Sequence, residues 1–422
     1  MSSSNESPSL NSNDSSLSGN SYLGKKLGVG FIITIMVSGC SGHYATASVA
    51  PLMQFIGDTW PDYAHLAFQA QSLPSLLMVP PVIFIGAIAR VISKKHILMF
   101  GTLLFFLGGF LPIIFNSFYP FLIGRCFVGL GTGFMVAIPT TTVGVLFSGK
   151  KQNAMMGWLN GVGALFGMGL SASVGYVALY GGFIATYWIY VPMLIFFFLQ
   201  WIFFPKFPPE KKDETIAKVD EQGNKIKIPR KTIIGIAGFL FWKVFVIVFV
   251  YIMAGIVETQ AGGTVADSGL VMTVFTATAF IASLIFIPLF NKINNWVLPI
   301  GLICGIISFA LMTTAHTMAQ CYLIAVVHNV CMTMMYPWMW KTMASMTTKV
   351  WVTTGISFIS FGSYFGQFAA PYMLQFINSI FGAGAPSYTF YSVMFAIFTV
   401  VGIVLVLKDK KANNSILCNI AK

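Results

Sequence analysis

The sequence predicts an all-α integral membrane protein of twelve transmembrane helices, arranged as two six-helix, pseudo-symmetric halves. Three observations lead there. Hydrophobic residues make up 56% of the 422 and charged ones only 9%, at a mean hydropathy of +0.80, whereas a water-soluble domain carries about 25% charged residues. Apolar runs of the ~20 residues that cross a hydrocarbon core about 30 Å thick recur along the chain. The basic residues fall in every second gap between those runs: Lys25 and Lys26; Arg90, Lys94 and Lys95; Lys150 and Lys151; the stretch 206–231; Lys292; Lys341 and Lys349; Lys408, Lys410 and Lys411. The intervening gaps hold acids, His or neutral residues such as Asp58, Asp62, Asp267 and His316. Because moving Lys or Arg across the bilayer during insertion is disfavoured, this alternation predicts a multi-pass protein of the plasma (inner) membrane with both termini in the cytoplasm.

Residues 1–24 are rich in Ser and Asn and lack the basic start and small-residue cleavage site of a secretory signal, so they read as a disordered cytoplasmic tail. Apolar runs then fall at 27–52, 66–89, 97–115, 119–147, 154–179 and 183–204, and again at 240–261, 268–290, 296–315, 319–342, 351–378 and 386–407. In lipid every backbone polar group must be bonded within the segment or around a closed barrel. A barrel needs short alternating strands; these runs are long and continuously apolar, so each is read as a helix. The first six give a half at 25–204 and the second six a half at 232–411. Between them, 205–231 mixes Pro205, Pro208 and Pro209 with Glu210, Lys211, Lys212, Asp213 and Glu214, a solvated cytoplasmic linker. A second cytoplasmic tail follows at 412–422. The apolar stretch 232–242, directly after Arg230 and Lys231, is either an interfacial helix or the start of a long seventh span. The halves echo one another: Phe166 and Gly167 answer Phe365 and Gly366, Lys151 and Lys349 precede them at similar separations, and Lys292 answers Arg90.

The net charge of +12 sits in short loops beside apolar runs rather than on one basic face. It therefore reads as topology and contact with anionic lipid, and excludes nucleic acid as a partner. Five of the six Cys (Cys40, Cys126, Cys304, Cys321 and Cys331) lie inside apolar runs without metal-ligand or disulfide spacing and read as small packing residues. No cofactor is expected.

Between the second and third runs the chain reads Gly86, Ala87, Ile88, Ala89, Arg90, Val91, Ile92, Ser93, Lys94, Lys95, and in the fourth Arg125, Cys126, Phe127, Val128, Gly129, Leu130, Gly131, Thr132, Gly133. With the six-plus-six layout, these segments resemble the major facilitator superfamily of secondary transporters. The first is similar to that family's cytoplasmic loop signature, a Gly, small apolar residues, an acid and a basic cluster. The second is similar to its fourth-helix signature, an Arg followed by Gly four, six and eight positions on. Two departures stand out: Arg90 occupies the place where the family usually carries Asp, and Ser93 the place of a Gly, so the charge-relay role of that Asp does not carry over. Sugar-porter signatures are absent, and Pro51 with the later Leu73, Pro74 and Ser75 is loosely similar to drug-efflux-type members. The resemblance implies a gating loop built on Gly86, Arg90, Lys94 and Lys95.

Arg125 is costly in hydrocarbon, so it should face a cavity or a partner, either a solute or backbone carbonyls. Counting from Tyr119 puts it roughly 9 Å below the outer surface. Glu258 is the acid inside an apolar run. If the seventh span begins near Lys243, it lies about 22 Å along, in the outer half, where it is either a proton-coupling group or a wetted helix-end acid. His43 in the first run and His328 with Asn329 in the tenth fall at comparable depth. Spans one, four, seven and ten thus each contribute a polar group, and in the resembled family those helices line the central cavity. Tyr336, Trp338 and Trp340 form either an aromatic cavity wall or an interfacial belt. Gly157, Gly161, Gly163, Gly167, Gly169 and Gly175 permit close helix crossing in the fifth run, and Pro51, Pro74, Pro80, Pro81, Pro139, Pro337 and Pro371 should kink helices.

The expected function is secondary active transport of a small organic solute by alternating access, as proton-coupled efflux. The alternatives are an uncoupled facilitator or uptake permease, then a membrane-embedded enzyme, which lacks clustered catalytic groups here, or a sensor, which would need a soluble output domain. The expected partners are the solute, the lipid bilayer and H+, with the protein functional as a monomer.

Overall fold

The computed structural model describes residues 21–22, 25–26, 28–147, 149–207, 230–346 and 352–411. The tail 1–24, apart from Ser21 and Tyr22, most of the expected linker and the tail 412–422 lie outside the described residues. Ser21 and Tyr22 (β1, Ser21–Tyr22) pair with Lys26 and Lys25 (β2, Lys25–Lys26) in a two-residue antiparallel ladder. All other regular structure among the described residues is helical.

Three short helices, α1 (Val29–Gly39), α2 (Ser41–Ala47) and α3 (Met53–Thr59), form one bent run broken by the tight turn Ala50–Leu52 around Pro51. Then come α4 (Gln69–Ile88), α5 (Lys94–Ile114), α6 (Phe118–Leu146), α7 (Gly149–Ala185) and α8 (Met193–Phe203). The remaining helices are α9 (Arg230–Gly255), α10 (Val265–Ile293), α11 (Val297–Met312), α12 (Met318–Met346), α13 (Val352–Phe381) and α14 (Ala385–Lys411). Nine helical stretches among the described residues are long and apolar enough to cross a bilayer. One of them, Met155–Phe203, leaves helical geometry at Gly182, whose φ of 74° is open to a residue without Cβ. Large apolar side chains such as Phe84, Ile195, Ile202, Leu284 and Val400 point outward. Water penalises such a surface and acyl chains do not.

The first run extends to Thr59 rather than ending at 52, because the turn at Pro51 bends the helix without ending it. Of the two alternatives for 232–242, the structure has the start of a long helix rather than a separate interfacial one: α9 runs unbroken from Arg230, since nothing in the sequence between Thr232 and Trp242 interrupts helical hydrogen bonding.

Without a hydrophobic drive between lipid-bathed helices, close backbone approach and cross-helix hydrogen bonds hold the bundle. Gly101 and Gly108 on α5 meet Gly131 and Gly124 on α6, where any Cβ would strike backbone of the facing helix. At the α7–α10 crossing a Cβ on Gly175 would lie 2.7 Å from Val265 O, and one on Gly269 2.5 Å from Ser171 O. Of the other glycines in α7, Gly163 and Gly167 lie against His43, while Gly157 and Gly169 face open space. Thr273 Oγ1 on α10 is within bonding distance of two carbonyls, Gly269 O of its own helix at 2.8 Å and Met168 O of α7 at 3.0 Å. A buried network ties α1, α5 and α8: Thr102 donates to Gln200 Oε1 at 2.9 Å, and Gln200 Nε2 donates to Ser38 Oγ at 3.0 Å.

Candidate functional site

The helix α6 presents two faces of small residues. Gly124 and Gly131 serve α5; Arg125, Gly129 and Gly133, spaced by four, serve α4. A Cβ on Gly129 would sit 2.5 Å from Pro74 O, and one on Gly133 2.8 Å from Met78 O. That intimacy draws Arg125 into the wall of the bundle, where it is 1% exposed. Its Nε donates to Ala70 O at 2.7 Å, Nη2 to Ala45 O at 2.8 Å and Nη1 to the Tyr190 hydroxyl at 3.0 Å. Ala45 O is available because α2 ends in a tightened turn: Val49 N, its regular donor, bonds Thr46 O instead. Tyr190 also meets Ser48 Oγ at 2.8 Å and occupies space that only a glycine at 109 leaves open. Arg125 is thus clamped to backbone and a phenol, the second of the two roles its cost in hydrocarbon allowed, and does not face open space.

The second histidine is equally enclosed. His328 is 0% exposed; Nε2 lies 2.8 Å from Val246 O and Nδ1 2.9 Å from Ser308 Oγ, with the ring stacked on Phe249 at 4.4 Å. A carbonyl only accepts, so Nε2 carries the proton. Asn329 Nδ2 donates to Phe275 O at 2.6 Å and its Oδ1 accepts from Thr333 at 2.7 Å. Both residues therefore fasten α12 to α9, α10 and α11. His43 belongs to a different seam, its ring against Gly163 and Gly167 of α7. The expected convergence of His43, Arg125, Glu258 and His328 at one level is not what the contacts show: each is held by its own neighbours. Trp338 is buried with its Nε1 unpaired, and the Tyr336 side chain lies outside the described residues.

The depth of Glu258 changes with the start of α9. Counted from Arg230 at ~1.5 Å per residue, it lies about 42 Å along, at the far end. It falls in a π-turn, Ile256–Gln260, with Oε1 accepting from Ser268 at 3.0 Å. Beside it, Thr264 and Asp267 cap α10 through Asp267 Oδ2 bonds at 2.8 Å. The same recount brings Lys243 to mid-helix, 2% exposed, with its chain packed on Gly366 of α13. The sequence does not single out Lys243 if the seventh span begins beside it; the signal that places it mid-helix is the uninterrupted apolarity of 232–242. Gly167 and Gly366, paired in the sequence echo, receive His43 and Lys243 respectively.

In the segment joining α4 to α5, expected to form a gating loop, Gly86 and Arg90 are exposed and Lys94 is buried. Ser93 Oγ meets His96 Nδ1 at 2.7 Å, and Lys95 Nζ donates to Trp201 O of α8 at 2.5 Å. The basic cluster is thereby tied to the end of α8.

At the face opposite this basic loop the helices part around a cavity of about 650 Å³. Buried Met53, Tyr251 and Leu374 form its floor, and exposed Asp58, Thr259 and Gln260 its rim. Its wall comes from residues before and after the segment 208–229 alike. It is an open chamber with room for a small organic molecule, and Glu258 stands one residue from its rim.

The family described as Major Facilitator Superfamily matches residues 27–257. Solved structures share the fold: a mutant of the peptide transporter POT in complex with sulfate, at TM-score 0.74 and 11% identity over 89% of this chain and 94% of that one. The same transporter mutant in complex with alafosfalin gives 0.74 and 11% over 92% and 96%. A POT family transporter in complex with a thioalcohol conjugated peptide gives 0.71 and 11% over 92% and 98%. No curated protein sequence matches the chain.

Proposed function

The chain belongs to the major facilitator superfamily, and from that premise we propose that it is a secondary transporter moving a small organic solute by alternating access. Membrane transport, rather than enzymatic chemistry, is what the family and the solved relatives support. The observation that carries the finer reading is the cavity walled by both parts of the chain, the arrangement a solute site between two repeats requires. The twelve-helix, two-half layout belongs to the same proposal. The 49-residue stretch Met155–Phe203 would span about 74 Å if straight, so its break at Gly182 supports two crossings, and the matched placement of His43 and Lys243 supports two repeats.

In this reading the basic face, with both termini, is cytoplasmic in the plasma membrane, and the acid-rimmed cavity opens outward. Glu258 takes and releases the proton that drives efflux, Arg125 holds the wall in shape, and the protein works as a monomer. The test is solute flux in proteoliposomes with and without a pH gradient. Glu258→Gln abolishes gradient-driven accumulation and spares exchange; unchanged coupling removes Glu258 from the role. The uncoupled facilitator is the second reading, favoured by the position of Glu258 at the helix end, and it holds if flux ignores the gradient altogether. The solved neighbours are described as peptide or POT family transporters, but at 11% identity that likeness carries the fold and no solute.

A further inference from the structure

The charge in the cavity lining is one-sided. Among the described residues Asp58 is its charged group, and no Lys, Arg or His lines it. Two of the hydroxyls that reach it have their protons engaged: Tyr251 donates to Gln367 O at 2.7 Å and Thr259 to Gly255 O at 2.6 Å. What each hydroxyl still offers is lone pairs. Asn378 adds Oδ1, shielded from solvent and without a hydrogen-bond partner. An N–H brought to Asn378 would pair that acceptor. Between these groups lie Met53, Phe68, Ile252 and Leu374, with the Phe68 ring edge-on to Tyr251 at 5.9 Å. Aromatic faces of this kind favour a cation over an anion.

We propose that this cavity binds the solute of the transporter proposed above through a protonated amine, its ammonium directed to Asp58 and Asn378 and its apolar body seated on Phe68, Tyr251 and Leu374. The assignment rests on the transport reading for its purpose but not for its chemistry. A carboxylate or phosphate in the same place would meet the like charge of Asp58. Asp58 is itself exposed and held only by Gln54 Nε2 at 3.4 Å, so it is free to turn to a ligand.

The test titrates purified full-length protein with three probes of one skeleton: phenethylammonium chloride, sodium phenylacetate and 2-phenylethanol. Phenethylammonium binds most tightly, and Asp58→Asn, a change at an exposed position that leaves thermal unfolding unaltered, weakens it by about tenfold, the equivalent of 1.4 kcal/mol. Asn378→Leu weakens it as well. Binding of phenylacetate as tight as that of the amine, an Asp58→Asn affinity equal to the parent's, or no binding of any probe overturns the assignment. Proteoliposome flux separates this failure from the other. Solute movement that persists while the amine fails to bind leaves transport standing and removes the amine site. Amine binding to a protein that moves no solute leaves the site standing and removes transport.

Discussion

Arg125 supplies the hydrogen bond that Pro74 withholds. Ala70 O, four residues before the proline, has no N–H above it in α4, and Arg125 Nε stands there at 2.7 Å. The relationship recurs twice. Pro371 leaves Gln367 O without its helical donor, and the Tyr251 hydroxyl fills the place at 2.7 Å. Pro205 does the same to Trp201 O, which Lys95 meets at 2.5 Å. Each proline bends or ends a helix, and a neighbouring helix completes the backbone it leaves open.

Replacing Arg125 by Gln is expected to lower unfolding stability by about 3 kcal/mol, since three acceptors lose a charged donor. In a Pro74→Ala background the Ala70 carbonyl regains its own N–H, and the same change should cost about 1 kcal/mol less. Denaturation of the four detergent-purified variants measures the cycle; strictly additive losses would refute the pairing of Arg125 with Pro74.

Lys95→Met is expected to cost ~1 kcal/mol or less, the range of a partly solvated helix-end interaction. The loss should vanish in Pro205→Ala, where position 205 carries an N–H of its own. Melting temperatures of both single variants and the pair check it, and an undiminished loss in the double variant argues for another partner.

Gly269→Val should be among the most damaging small changes. Its Cβ would lie 2.5 Å from Ser171 O, and overpacking of this kind costs about 1–3 kcal/mol. Gly169→Ala, in open space, is the control and should leave flux and stability at the parent's level. Equal behaviour of the two variants in proteoliposomes would contradict the close α7–α10 crossing.

Lys243→Met is expected to leave a folded protein, because an apolar side chain of similar length fills the buried site against Gly366. Solute flux should nevertheless fall by about tenfold or more, as expected of an ionisable group retained inside a membrane span. Flux at the parent's rate would make Lys243 a structural residue.

His328→Phe should show the reverse. Two buried hydrogen bonds disappear, at a cost of about 1–3 kcal/mol for the Val246 carbonyl and Ser308 hydroxyl left behind, while the dependence of flux on pH stays as it was. A changed pH profile would return His328 to the coupling machinery.

How much of this was legible beforehand differs by kind of signal. Hydropathy and the alternation of Lys and Arg located the apolar runs and the basic face, because both follow from solvation that each residue carries with it. The spacing of Arg125, Gly129 and Gly133 announced one crowded helix face. What the sequence concealed is direction: whether Arg125 or His328 turns toward a chamber or toward a carbonyl is decided by residues 55 and 82 positions away. The depths of Glu258 and Lys243 turn on where α9 begins, and the sequence leaves that open between Thr232 and Lys243; the helix begins at Arg230. The cavity had no linear signature at all, its wall being gathered from segments near 58, 255 and 380.

The hydroxyl of Thr273 reaches two carbonyls, one across the crossing and one four residues back on its own helix. Were α7 and α10 to slide apart, as the proposed alternating access requires, its proton would not be stranded in oil, because Gly269 O is already within reach. The seam would then act as a latch that re-engages rather than a weld that must be broken, its hydrogen bond kept in the departing helix until the surfaces meet again.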